Sequence, residues 1–143
     1  MTRSAGALLA LLISGAQGSA ACLSYAEPAM LEGRLVPRVF PGPPNYESIA
    51  RGDRREVALI LQLDRPACVD ADQADPSGFS PAVGHVSEIQ LVPPSAGPKP
   101  APGARVRVSG HLFGAHTGHH RTPVLLGDIT LRAINAQAGR GVP

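Results

Sequence analysis

Four of the chain's five histidines, His111, His116, His119 and His120, fall within one ten-residue stretch. Neutral imidazoles are good ligands for zinc, copper or nickel, so this cluster is the candidate for holding a divalent ion. On a helix His116 and His120 would share a face. Gly114, Gly118 and Pro123 place the segment in a loop instead, and no Cys or Glu lies inside the cluster to complete a shell. The rival expectation is that the imidazoles bond the loop's own carbonyls, with protonation of neighbouring rings making the loop pH-sensitive. No other cofactor is indicated.

A second unusual segment is Phe40-Pro41-Gly42-Pro43-Pro44-Asn45-Tyr46-Glu47-Ser48-Ile49, where prolines stiffen an extended loop. Phe40, Asn45, Tyr46 and Glu47, with His116, Thr117, His119 and His120, form the expected binding surface. The alternative is that both loops merely connect strands. His85-Val86-Ser87 and His120-Arg121-Thr122 resemble the paired His-x-Ser/Thr motifs of two-histidine phosphoesterases, which would make the chain an enzyme on phosphoesters. The resemblance covers six residues, and Arg121-Thr122-Pro123 lacks the apolar flank those enzymes have. A Gly-x-Ser-x-Gly elbow, His-Glu-x-x-His and a phosphate-cradling glycine loop are all missing from the sequence. The expectation is therefore a non-enzymatic protein.

The elements that must position these loops are short strands. With 143 residues, 43% of them apolar, the chain suffices for one core. Its 16 glycines, 15 prolines and 3% aromatic residues favour turns and aliphatic strands over helices. Alternation predicts a first strand from Ala29 to Phe40, with Gly33 at a bend and Pro37 making its later half an edge. A second strand is predicted from Arg55 to Asp64, with Val57, Leu59, Leu61 and Leu63 on one face and Glu56, Ala58, Ile60 and Gln62 on a more solvated one. Pro66 to Val69 would follow a turn, and Asp70 to Gly78 reads as a polar loop. Val83 to Val92, Arg105 to Phe113 and Pro123 to Leu131 complete five strands, with Asp128 outward. The fold expected is an all-β, five-stranded Greek-key barrel of the oligonucleotide/oligosaccharide-binding (OB) kind, a β-sandwich being the alternative. In such a barrel the loop after strand one and the loop between strands four and five share a face.

Residues 1–21 read as a secretory signal: Arg3, an apolar run from Ala5 to Ile13, and small residues through Ala21. The run is too short for an ordinary membrane span, so no transmembrane segment is expected in the mature form. Cleavage after Ala21 would expose Cys22, the position of a lipoprotein's acylated cysteine, although Ser19 stands where such signals carry Leu. The favoured expectation pairs Cys22 with Cys68 as a disulfide in the periplasm or outside the cell. Closing a loop of about 46 residues would add ~4 kcal/mol of stability by chain entropy. The mature domain is expected over 22–131, with a Pro-rich spacer over 93–103 and a frayed tail over 132–143. Of the 13 basic residues Arg3 leaves with the leader, so 12 face 11 acidic ones. Near-neutral charge and scarce aromatics argue against nucleic acid as a partner.

The segments Cys22-Leu23-Ser24-Tyr25, Glu27-Pro28, Phe40 to Ile49, Phe79-Ser80-Pro81-Ala82-Val83, and Leu112-Phe113-Gly114-Ala115-His116-Thr117-Gly118-His119-His120-Arg121-Thr122-Pro123-Val124-Leu125-Leu126 resemble a group of small exported bacterial proteins classed as a domain of unknown function. The resemblance spans most of the mature chain and implies export and the Cys22/Cys68 pair, but no activity. The Pro93 to Gly103 spacer departs from the helical segment expected before strand four. The function expected is recognition of a protein or an envelope glycan through loops 40–49 and 114–122, in the manner of an inhibitor or immunity protein. Neither the partner nor the oligomeric state follows from the sequence.

Overall fold

Period-two burial organises the chain, whose computed structural model describes residues 20–93 and 101–134. Nearly all of the expected leader, the centre of the Pro-rich spacer and most of the expected tail lie outside the described residues. Strands β1 (Ala29–Pro41), β2 (Arg55–Val69), β3 (Val83–Leu91), β4 (Arg105–Gly114) and β5 (Val124–Ala133) are joined by irregular segments and one 3-10 turn, Ile49–Arg51. They close into a barrel in the order β1-β2-β3-β5-β4. All contacts are antiparallel except β3 with β5, which is parallel and only two residue pairs long. This is a small OB-like barrel, and none of the helices among the described residues is long and apolar enough to cross a membrane.

Closure depends on β1 serving two partners. Ala29 to Arg34 pair with β4 and Gly33 to Pro41 pair with β2, so the strand changes neighbours at Gly33-Arg34. A Cβ at Gly33 would strike the carbonyl of Gln62, which explains the glycine. The Leu35 N–H points to the β4 side, where it donates to Ala104 O at 2.9 Å. Pro37, two residues on, faces the same side past the start of β4, where no ladder bond is lost.

Two strand ends differ from expectation. β2 continues through Pro66 to Val69 instead of turning after Asp64, because a register shift between Gln62 and Ala67 absorbs the irregular residues. At the other end, Arg132 and Ala133 belong to β5 rather than to a tail, paired with Arg107 and Val106. Asp128 sits at the register shift between β4 and β5 with φ 51°, exposed as expected. The extended end of β2 anchors the amino-terminal segment. Cys22 is disulfide-bonded to Cys68, and Leu23 exchanges backbone bonds with Cys68 O (2.7 Å) and Asp70 N (2.9 Å). A Cys22 sulfur so used is not free to carry a lipid.

Inside the barrel Leu31, Leu35, Leu61, Ile89, Leu91, Val106, Val108, Leu112, Val124 and Leu126 form the core. The second face of β2 is not the solvated one expected. Ile60 is fully buried and Ala58 is 5% exposed, whereas Val57 is 66% exposed near the strand's start. Opposite residues share a face, so the outside of the barrel carries a row Val36, Ile60, Gln90, Leu125, Phe113 across four adjacent contacts. Its centre is buried because the segment between β4 and β5 folds back over it. The expected test of the β1 crossing is Gly33→Ala, which should lower stability to urea by about 1–3 kcal/mol. Gly84→Ala, whose added methyl group meets nothing, should stay within about 0.5 kcal/mol of the parent.

Candidate functional site

The loop from 115 to 123 is fastened to the barrel by Gln90. This residue is 8% exposed, on the outer row of β3. Its backbone N–H donates to Thr122 Oγ1 at 2.9 Å, its side-chain Nε2 donates to His119 O at 3.1 Å, and its Oε1 accepts from Arg121 N at 2.5 Å. Thr122 Oγ1 in turn donates to Val124 O at 2.6 Å. A buried amide left without partners would cost about 1–3 kcal/mol, so these bonds determine where the loop lies.

Arg121 then joins this loop to the one between β1 and β2. Its side chain is 8% exposed, with the guanidinium carbon 5.1 Å from the centroid of Phe40 and 5.6 Å from that of Tyr46. One Nη2 donates to Pro41 O at 3.0 Å and lies 3.3 Å from Glu56 Oε2. Its Nε is buried without a partner among the described residues. The Glu56 carboxylate also meets His119 Nδ1 at 2.9 Å, and His119 Nε2 lies 3.1 Å from Tyr46 Oη. With Nδ1–H donating to the carboxylate, Nε2 accepts from the phenol. The resulting sequence Arg121, Glu56, His119, Tyr46 pins the two loops and can relay a proton between a carboxylate and a phenol. Gly118 lets Tyr46 approach, since a Cβ there would stand 3.0 Å from the ring.

Tyr46 itself holds φ 60°, uncommon for a residue with a side chain. The conformation is imposed by Asp53, 6% exposed, whose carboxylate accepts from the backbone N–H groups of Asn45 (2.9 Å), Glu47 (2.7 Å) and Ser48 (2.8 Å). The Ser48 N–H, aided by the other two, holds the Asp53 carboxyl below its ordinary range.

The two expected loops therefore meet, and the structure separates their residues by role. Asn45, Glu47, His116, Thr117 and His119 are exposed, Tyr46 is partly covered, and Phe40 lies under Arg121. Glu47 reaches Arg51 at 3.3 Å. His116 and His120 face each other edge-on, ring centroids 4.5 Å apart, against Phe113 and against Phe79 from the segment between β2 and β3. His116 Nδ1 lies 2.9 Å from Gly114 O, in line with imidazoles serving the loop itself. His120 Nδ1 accepts from His116 N (2.9 Å) and Thr117 N (3.3 Å).

The four histidines do not converge on one point. His111 is exposed on β4, His119 is turned to Glu56 and Tyr46, and the Nδ1 atoms of His116 and His120 are engaged with backbone. Among the described residues no group of three or more His, Cys, Asp or Glu is placed to hold a metal ion. In the second His-x-Ser/Thr motif, Thr122 is buried with its hydroxyl accepting from Gln90 N–H and donating to Val124 O. Glu56, Asp53, Gln90 and Arg121 were not among the expected site residues. The available signal was Gln90 alone, a polar residue between Ile89 and Leu91 in an apolar strand.

Burial, then the His116 and His119 charges, lowers the His120 pKa below its ordinary 6.5. The fold thus favours neutral His120: its contribution is complete above the unfolded pKa and is lost as pH falls through the folded one. The thermal midpoint should fall between about pH 7.5 and about pH 5, less so in His120→Asn, as followed by circular dichroism. Arg121→Ala should cost about 2 kcal/mol in urea denaturation, and Arg121→Lys should recover little, lacking the planar fork that spans Pro41 O and Glu56.

No curated protein and no solved structure matches the chain. Over residues 88–131, from within β3 through the histidine loop to the later part of β5, the chain matches the family model described as Domain of unknown function (DUF4431).

Proposed function

We propose that this chain is an exported, non-enzymatic binding module that recognises a protein partner through the joined surface of loops 40–49 and 114–122. The observation that carries the proposal is Arg121, which locks loops about 75 residues apart in sequence into one polar surface. Loops already held in place lose little conformational entropy on binding, which suits insertion into a partner's cleft, as an inhibitor or immunity protein does. Asn45, Glu47, His116 and Thr117 offer the exposed polar groups. Export is supported by the leader-like amino terminus and by the Cys22–Cys68 bond, which persists in an oxidising compartment.

The test is a photo-crosslinking side chain placed at Thr117 in the full chain produced in its own host. One discrete adduct with an envelope or secreted protein is expected, lost when Asn45→Ala and His116→Ala are added, and absent for the same probe at Gln73. No adduct, or the same adduct from both positions, would overturn the proposal. The recovered protein should begin at Cys22 and weigh two hydrogens less than its reduced form.

A further inference from the structure

A different face of the barrel carries an arrangement that stability alone does not account for. On the outside of β1, β4 and β5, Arg34 stands directly opposite Arg105, and Arg107 directly opposite Arg132. Like charges in opposed positions, with side chains about 5 Å apart at Cβ, repel and weaken a ladder. Carboxylates answer only part of this charge. Glu32 bonds Arg107 at 2.7 Å through Nε and lies 3.6 Å from Arg105, and Asp64 pairs with Arg105. Arg34 turns to Gly103 O at 2.8 Å, and Arg132 pairs with no carboxylate among the described residues.

The surface at these pairs is hollowed. One depression of about 320 Å³ is lined by Met30, Arg107, Ser109, Thr130 and Arg132. An adjoining one of about 390 Å³ shares Met30 and includes Glu32, Asp64, Arg65 and Arg105. In the first, the opposed hydroxyls of Ser109 and Thr130 lie one step along the face from the Arg107/Arg132 pair. Guanidinium forks match carboxylates in two-point bonds, and the hydroxyl pair matches sugar hydroxyls.

We infer that this face binds a carboxylated polysaccharide, with the Arg107/Arg132 pair taking a sugar carboxylate and the chain running on across the ridge of Met30 into the second hollow. Two hollows side by side suit an extended chain rather than a single ion. No aromatic side chain lines either hollow, so stacked nucleotide bases find no platform. Among the described residues Met30, 67% exposed, is the sole large apolar side chain lining the first hollow, too little to enter a lipid layer. The site is separate from the loop surface and does not rest on it.

The test is calorimetry of the disulfide-bonded protein with oligogalacturonate, beside a neutral dextran oligomer and a single-stranded oligonucleotide of equal charge. Saturable binding to oligogalacturonate alone is expected, weakened about tenfold by Arg132→Ala and more by Arg107→Ala with Arg132→Ala. Arg132→Ala should leave the melting temperature equal or higher, because it removes a like-charged neighbour. Arg54→Ala with Arg55→Ala, which removes two exposed cations elsewhere, should change affinity by less than about twofold. Absence of binding by the parent, equal affinity for the oligonucleotide, or equal weakening by the Arg54/Arg55 variant would overturn the inference.

Discussion

Gln90 is a polar side chain next to the end of β3, between core isoleucine and leucine. Placed on the outer row of the barrel, it would ordinarily face water. Instead its backbone N–H and both ends of its amide bond Thr122, His119 and Arg121, so the segment after β4 is drawn down onto the sheet. Once there, that segment excludes water from Ile60 and Leu125, and their burial rewards the docking that the hydrogen bonds direct. The polar contacts specify the place, and the apolar area supplies much of the free energy.

Docking also brings a cation into a dry position, which would be costly unless its charge were answered. Phe40 and Tyr46 present ring faces to Arg121, Pro41 offers a carbonyl and Glu56 a carboxylate. Each of these belongs to β1, β2 or the loop between them. The cost of burying Arg121 is therefore met only when both loops are in place, which couples them. Asp53 acts one layer below: by gathering three backbone N–H groups it holds Tyr46 in a conformation its side chain disfavours.

Much of this was legible from alternation and punctuation. Five strands, the barrel and the approach of the two loops follow from periods of two, from Gly33 and from the proline and glycine clusters. Alternation also assigned the inward parity of Leu61 and Leu63 correctly. It misjudged how dry the other face would be, because the cover of Ile60 comes from a loop about 60 residues later, and no local pattern records that. The continuation of β2 past Pro66 was hidden for a related reason: a register shift lets a strand tolerate a residue that breaks a regular ladder. The histidine cluster invited a metal, yet spacing on a loop says nothing of direction, and the rings turn to Glu56, to Gly114 and to backbone N–H groups instead. Asp53, Glu56 and Arg121 look like ordinary surface charges in a sequence; the local fold of the β1–β2 loop covers Asp53, and the docking of the two loops covers Arg121 and part of Glu56.

The ladder between β3 and β5 is two residue pairs long, the shortest contact of the ring, and Gln90 is one of its members. In a barrel whose other seams run six or more pairs, thermal opening begins at the shortest. Parting β3 from β5 separates Gln90 from Thr122 and Arg121 at the same moment, so breathing of the wall and lifting of the loop are a single motion. Any molecule that grips the loop from outside would also act as a clasp across that seam, slowing exchange of amide hydrogens deep in a sheet it never touches.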